Sequence, residues 1–219
     1  MSKKKLDFAK NLLSSGELVI FPTETVFGLG ADATNDKAVK SIFKVKKRPS
    51  TNPIICHFKN IKQIEKYFIL NKYEKNIGSK FWPGPLTIIL KKRKNSKISK
   101  LVSNNSSLVG CRIPSNKLAN KLISSFDVPI AAPSANLSER TSVTHIKDID
   151  PILVKKIFVL KDKQSSYGLE STVIRINNNN RIEVLRYGSI TVEELNKFAK
   201  VEIKKKSSIS PGNLKKHYS

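Results

Sequence analysis

Lys44, Lys46, Lys47 and Arg48 crowd into one short stretch, with Asn52 and His57 close behind in KVKKRPSTNPIICH (44–57). Four like charges so close repel one another unless an anion or water screens them. Arg can grip a phosphate with two parallel N–H groups, and Lys adds a mobile point charge. A solvated charge run is the ordinary alternative, but Pro49 and an apolar segment follow at once and pin the cluster against the core. Upstream lies PTETVFGLG (22–30). Thr23, Glu24 and Thr25 offer hydroxyls and a carboxylate at the carboxyl end of a strand, where open α/β sheets bind ligands. Gly28 and Gly30 permit close backbone approach. The pair lacks the third glycine of a dinucleotide fingerprint and the GK[ST] of a P-loop, so it also reads as a plain strand-to-loop turn.

Downstream segments repeat the same chemistry. Arg112 in GCRIP (110–114) ends an apolar strand and requires an anionic partner, either a ligand carboxylate or an internal Asp or Glu. APSANLSERTSVT (132–144) is dense in hydroxyls and amides, including Ser134, Asn136 and Ser142; such a loop binds phosphate or ribose, or caps a helix. GLESTVI (168–174) carries Ser171, and LRYG (185–188) carries Arg186. There is no Ser-His-Asp ordering, HExxH or CxxC pair to suggest a covalent nucleophile or structural metal. Cations joined to hydroxyls suit phosphoryl or nucleotidyl transfer, where positioning and charge stabilisation carry most of the catalysis.

Periodic patterns place the supporting elements. Leu6, Ala9, Leu12 and Leu13 mark an opening helix ended by Gly16, and Ala38, Val39, Ile42 and Phe43 share one face of a second helix. Asn60 caps a helix over 61–68, another covers 72–81, Ser115 caps one through Phe126, and Thr191 caps the last. Strands are expected at 17–21, 53–58, 86–90 and 157–161, with 107–114 reading as strand then turn and 129–136 as a strand that breaks into a polar loop. The runs 171–176 and 181–186 flank NNNN and make a hairpin. In the strand PIICHF, alternation puts His57 on the face of Ile55, opposite Cys56 and Phe58; a structural histidine is the plainer reading. Early alternation of strands and helices with a late hairpin indicates an α/β chain with a mixed sheet. Residues 1–203 read as one domain, and 204–219, rich in Lys and Ser, as a linker-like tail.

The composition fits a globular chain of 219 residues, 39% of them hydrophobic. Its 41 basic and 17 acidic residues give a net charge of +24, which favours polyanions such as nucleotides or tRNA, although many Lys residues sit in solvated-looking runs. No apolar run is long enough to span a bilayer, so no membrane partner is expected. Cys56 and Cys111 read as buried free thiols, consistent with a reducing, cytoplasmic setting.

Seven ordered segments together resemble the YrdC family, the threonylcarbamoyl-AMP synthases that begin threonylcarbamoyladenosine synthesis in tRNA. They are PTETVFGLG, KKRPSTNPIICH, FWPGPLTIIL, GCRIP, APSANLS, GLESTVI and LRYG. SPGNLKKHYS (210–219) is similar to the linker of the family's longer, two-domain members, which continue into a further domain. The resemblance implies a YrdC/RibB-like twisted sheet of mixed parallel and antiparallel strands with flanking helices. It implies that L-threonine, bicarbonate and ATP, with Mg²⁺, give threonylcarbamoyl-adenylate and pyrophosphate. Downstream tRNA threonylcarbamoyl transferase proteins, and tRNA itself, are the implied partners. Thr25, His57, Arg112, Ala132 and Ser171 are implied for threonine, with Arg112 on its carboxylate. Lys46 and Arg48 are implied as catalytic cations, with Asn52, Leu108, Ser134, Asn136, Ser142, Arg186 and the linker's Tyr218 around ATP. Lys47 replaces a usual Gly, Phe27 a usual Tyr, and Leu108 a usual Thr or Ser, leaving Leu108 only a backbone contact. Glu139 and Arg140 stand where the family has Gly-Lys or Gly-Arg. The competing readings are a tRNA- or double-stranded-RNA-binding module and a carbamoyl-adenylate-forming domain. A hydroxyl-lined threonine pocket separates the enzyme from the RNA clamp.

Overall fold

Caps and apolar spacing define the elements of the computed structural model, which describes residues 3–138, 140–161 and 167–203. Helix α1 (Lys3–Ser14) buries Ala9 and Leu13 and stops before Gly16, whose φ of 82° favours glycine. Strand β1 (Val19–Phe21) turns through the Pro-Thr-Glu-Thr segment into β2 (Gly28–Asp32). Helix α2 (Asp36–Lys46) begins where the Asn35 side chain accepts from the N–H groups of Lys37 and Ala38. Next come β3 (Cys56–His57), α3 (Ile61–Tyr67) capped by Asn60, and β4 (Phe68–Ile69). Helix α4 (Lys72–Phe81) opens with an Asn71–Glu74 capping box and leads to β5 (Leu86–Lys92) and β6 (Leu108–Arg112).

Helix α5 (Lys117–Ser125) is capped by Asn116 rather than by Ser115, because Oδ1 of Asn116 accepts from both Leu118 and Ala119. After it come β7 (Ile130–Ala131), α6 (Pro151–Lys156) and β8 (Phe158–Val159). The hairpin β9 (Thr172–Ile176) and β10 (Ile182–Arg186), then α7 (Val192–Asn196) and β11 (Val201–Ile203), complete the described chain.

The strands join in the order β11-β10-β9-β5-β6-β3-β7-β2-β1-β8, with β4 beside β5. Pairs β3–β6, β5–β9, β1–β8 and β10–β11 are parallel, and the rest antiparallel, so the expected mixed sheet is present. One face packs Ile20, Leu29, Cys56, Cys111 and Ile88 against Val39 and Ile42 of α2, Ile64 of α3 and Ile77 of α4. The opposite face packs Val19, Phe21, Ile130 and Ala132 against Ala9 and Leu13 of α1 and Leu118 and Leu122 of α5. Ile89, Val173 and Leu185, with Leu108 beside them, make a separate small cluster. His57 pairs in register with both Arg112 and Ile130, and this places the His57–Arg112 row at the centre of the sheet.

Two local expectations change. Gly28 and Gly30 belong to strand β2 rather than to a loop, although Gly28 still lines the polar cavity. A Cβ on Gly30 would stand 2.7 Å from the ring of Phe21, so that glycine serves aromatic packing between β1 and β2. Lys47, where the resemblance expects glycine, adopts φ 51°, and its N–H closes α2 by bonding to Phe43 O and Lys44 O. The left-handed state costs an L-residue about 1–2 kcal/mol, and glycine loses about 0.5–1 kcal/mol more entropy on folding. Lys47→Gly is therefore expected to stabilise the protein by roughly 0.5–1 kcal/mol in thermal denaturation. A lower melting temperature would show that Lys47 makes compensating contacts.

Candidate active site

One cavity collects the polar loops. Its walls include Thr25, Arg48, His57, Arg112, Ala132, Ser134, Ser142, Ser171 and Arg186, nine of the residues expected from sequence. They arrive from the β1–β2 turn, the loop after α2, strands β3 and β6, the segment after β7, the approach to β9 and the end of β10.

On one side stand two arginines. Arg48 donates from Nε to Asn52 O at 3.1 Å and from Nη2 to Pro53 O at 2.9 Å, which fixes the guanidinium at the cavity wall. Arg186 donates from Nη2 to Ser171 O at 2.9 Å and to Ser171 Oγ at 3.0 Å. Burial, then the neighbouring charge of Arg186, brings Arg48 down to about 10. Two guanidiniums that disfavour each other's charge form a site that an anion would relieve. Hydroxyls of Ser134 and Ser142 line the same space. Glu170, also in the wall, accepts from Ser142 Oγ at 2.5 Å.

The other side is a nearly neutral niche. Arg112 donates from Nε to Gly84 O at 3.2 Å, from Nη1 to Thr25 Oγ1 at 2.9 Å and from Nη2 to Glu24 Oε1 at 2.7 Å. Its anionic partner within the protein is thus Glu24, the internal alternative that the sequence left open. A guanidinium has five N–H donors, so one on each Nη remains for a ligand. His57 stacks edge-on against Phe21 at 6.0 Å, and its Nδ1 is buried without a partner among the described residues. Burial, reinforced by the charge of Arg112, lowers its pKa to about 3, so the ring is neutral at physiological pH. Ser171 Oγ lies 2.7 Å from Thr87 Oγ1, and Ala132 completes the wall.

Other expected residues stand apart from the cavity wall. Lys46 is 1% exposed, and its Nζ donates to the main-chain carbonyls of Ser134, at 2.6 Å, and Asn136. Burial, then the charge of Arg48, lowers its pKa to about 7. Even a neutral amine has two N–H donors, enough for both carbonyls. In this structure Lys46 holds the Ser134–Asn136 segment, in place of the phosphate contact expected from sequence. Lys46→Ala strands two buried acceptors at about 1–3 kcal/mol each, so a stability loss of roughly 2–6 kcal/mol is expected in denaturant unfolding. Unchanged stability with lost activity would return Lys46 to the reacting centre.

Asn52 is buried behind Arg48, and Asn136 donates from Nδ2 to Leu137 O at 2.9 Å and to Arg140 O, bracing its own loop. Leu108 packs beside Ile89, Val173 and Leu185 and borders a separate surface groove with Lys91 and Arg175, because its side chain follows the sheet face and not the loops. Tyr218 lies outside the described residues. Thr87, Glu170 and Gly188 enter the site's framework without a sequence assignment, and Glu24, read from sequence as a carboxylate offered to a ligand, enters it as the partner of Arg112. The signals for Glu170 and Gly188 were modest, a carboxylate inside GLEST and the glycine of LRYG, and Thr87 had none beyond its place in an apolar strand.

Against family models, residues 11–188 match the Sua5–YciO–YrdC model, described as telomere recombination. The chain belongs to this family. It is 37% identical over 198 residues to the threonylcarbamoyl-AMP synthase of Pyrococcus abyssi, covering 88% of this chain and 56% of that protein. It is 38% identical over 219 residues to the Bacillus subtilis threonylcarbamoyl-AMP synthase, covering 96% of this chain and 63% of that protein. The crystal structure of P. abyssi Sua5 complexed with L-threonine superposes with a TM-score of 0.90 at 33% identity, covering 100% of this chain and 66% of that one. The chain thus spans somewhat over half the length of the two relatives. Family membership accounts for the shared sheet and for the ordered motifs that meet at the cavity.

Proposed function

We propose that this chain forms threonylcarbamoyl-adenylate and pyrophosphate from L-threonine, bicarbonate and ATP. One observation carries the proposal: a neutral niche at Thr25, His57, Arg112 and Ser171 adjoins a cationic wall of Arg48 and Arg186 within a single cavity. That the P. abyssi relative binds L-threonine supports it.

In this reading, threonine places its carboxylate against the two remaining N–H groups of Arg112. The neutral His57 and the hydroxyls of Thr25 and Ser171 take its other polar atoms. The ammonium gives up a proton, the free amine adds to the carbon of bicarbonate and water leaves, giving the N-carboxylate. One of its oxygens then attacks the α-phosphorus as the bond from that phosphorus to the bridging oxygen of pyrophosphate breaks. Arg48 and Arg186 stabilise the charge gathering on the leaving phosphates, a task for fixed cations in a water-poor site. Among the described residues no group of three or more His, Cys, Asp or Glu side chains comes together. Glu170, the carboxylate in the wall, would be the residue to help hold a Mg²⁺ ion, which would supply neutralisation of the triphosphate. The product would pass to tRNA-modifying transferase proteins, and the basic surface would favour approach to tRNA.

Pyrophosphate release is measured with ATP, bicarbonate and each amino acid in turn. Release that depends on both threonine and bicarbonate is expected. Release without either, or with no preference among amino acids, would contradict the proposal.

A further inference from the structure

Glu24 has no task in the reaction as derived, yet it is tied to every side of the niche. Its side chain is 5% exposed and that of its partner Arg112 4%. Oε1 accepts from Arg112 Nη2 at 2.7 Å, and Oε2 accepts from the N–H of Asn116, the cap of α5, at 3.3 Å. Its main-chain oxygen accepts from Tyr167 N at 3.0 Å, at the start of the segment that leads to Glu170 and Ser171. Burial alone would raise the carboxyl, but the charge and hydrogen bond of Arg112 outweigh it and hold the group below its ordinary 4.5. Glu24 is therefore ionised, and with Arg112 it sums to zero charge.

That sum matters for what the niche accepts. His57 is neutral, and Thr25, Thr87 and Ser171 contribute only hydroxyls. A free amino acid carries one carboxylate and one ammonium. A lone buried guanidinium would attract the first and repel the second, and would favour any simple carboxylate anion. With Glu24 ionised beside it, the field of Arg112 is short-ranged, felt by a carboxylate in contact and cancelled further away. The same carboxylate, with Thr25 and Gly84, fixes the guanidinium plane.

We propose that Glu24 is a specificity-determining positioning residue, one that orients Arg112 and neutralises the niche so that it selects a zwitterionic amino acid over a simple carboxylate anion. The inference rests on the threonine reading of the site. It is tested by calorimetry with L-threonine and with 2,3-dihydroxybutanoate, which has a hydroxyl in place of the ammonium. The quantity read is the ratio of the two affinities, in wild type, in Glu24→Gln and in Glu24→Asp. Glu24→Gln keeps size and one acceptor oxygen for Arg112 but removes the charge and, with an NH₂ in place of the second oxygen, the bond from Asn116 N–H. Its threonine affinity is expected to fall and its hydroxy-acid affinity to hold or rise, lowering the ratio about tenfold. Glu24→Asp draws the charge back by one methylene, and the ratio should fall less, about threefold.

A merely structural ion pair would weaken both ligands together and leave the ratio unchanged, which would overturn the proposal. Should Glu24→Gln fail to fold, the ratio in Glu24→Asp decides in the same way. Wild-type protein that binds neither ligand would instead overturn the threonine reading itself. Wild-type threonine binding with an unchanged ratio in the variants removes only the role of Glu24.

Discussion

Arg48→Ala is expected to lower threonine-dependent pyrophosphate release about a hundredfold while leaving threonine affinity within about twofold. The reasoning is local. Arg48 and Arg186 face the same space, and burial first, then the charge of Arg186, makes the cationic form of Arg48 less favourable. An anion placed between them gains from both, and a charged hydrogen bond is worth about 1.5–3 kcal/mol, so losing the Arg48 contacts accounts for the expected factor. Arg48→Lys keeps a charge but loses the planar fork, and partial recovery is expected. Separate titrations with ATP and with threonine check the split. Equal losses for the two ligands would mean that Arg48 supports the whole cavity rather than the nucleotide half.

Gly188→Ala is expected to abolish use of both ligands and to destabilise the fold by roughly 2–4 kcal/mol. A Cβ at that position would stand 2.4 Å from Glu170 O and 2.5 Å from both Ser171 C and Thr172 N. These are backbone atoms, so relief requires moving the segment that carries Glu170 and Ser171. Arg186, two residues earlier, is bonded to Ser171 O and Oγ and would be dragged with it. Gly168→Ala is the control: φ there is 72°, but nothing lies within 4 Å of the added carbon, so about 1–2 kcal/mol of backbone strain is the whole cost. Activity surviving in Gly188→Ala while lost in Gly168→Ala would reverse this account of which glycine holds the site together.

Local chemistry made much of this architecture readable. Period-two alternation in PIICHF put His57 and Ile55 on one face and Cys56 and Phe58 on the other, and the structure turns the first face to the cavity and the second to the core. Caps at Asn60 and Thr191 and the NNNN hairpin followed from side-chain oxygens and turn-forming residues within a few positions of their targets. Long-range partnerships were not readable in the same way. Arg112 requires an anion, but the pairing with Glu24 joins residues 88 apart in sequence. Lys46 announces a cation, yet its burial against carbonyls of the segment after β7 depends on where α2 ends. Gly28 and Gly30 looked like loop glycines because the ring of Phe21 that fills the space above Gly30 belongs to the neighbouring strand. Ser115 and Asn116 are both competent caps, and only the geometry of the turn after Arg112 chooses between them.

The shared cavity is tested most directly by a crystal structure of this protein with L-threonine and a non-hydrolysable ATP analogue bound together. The threonine carboxylate is expected beside Arg112, its remaining polar atoms near His57 and Ser171, and the triphosphate between Arg48 and Arg186. Either ligand bound outside this cavity, with the cavity itself left unfilled, would contradict the account.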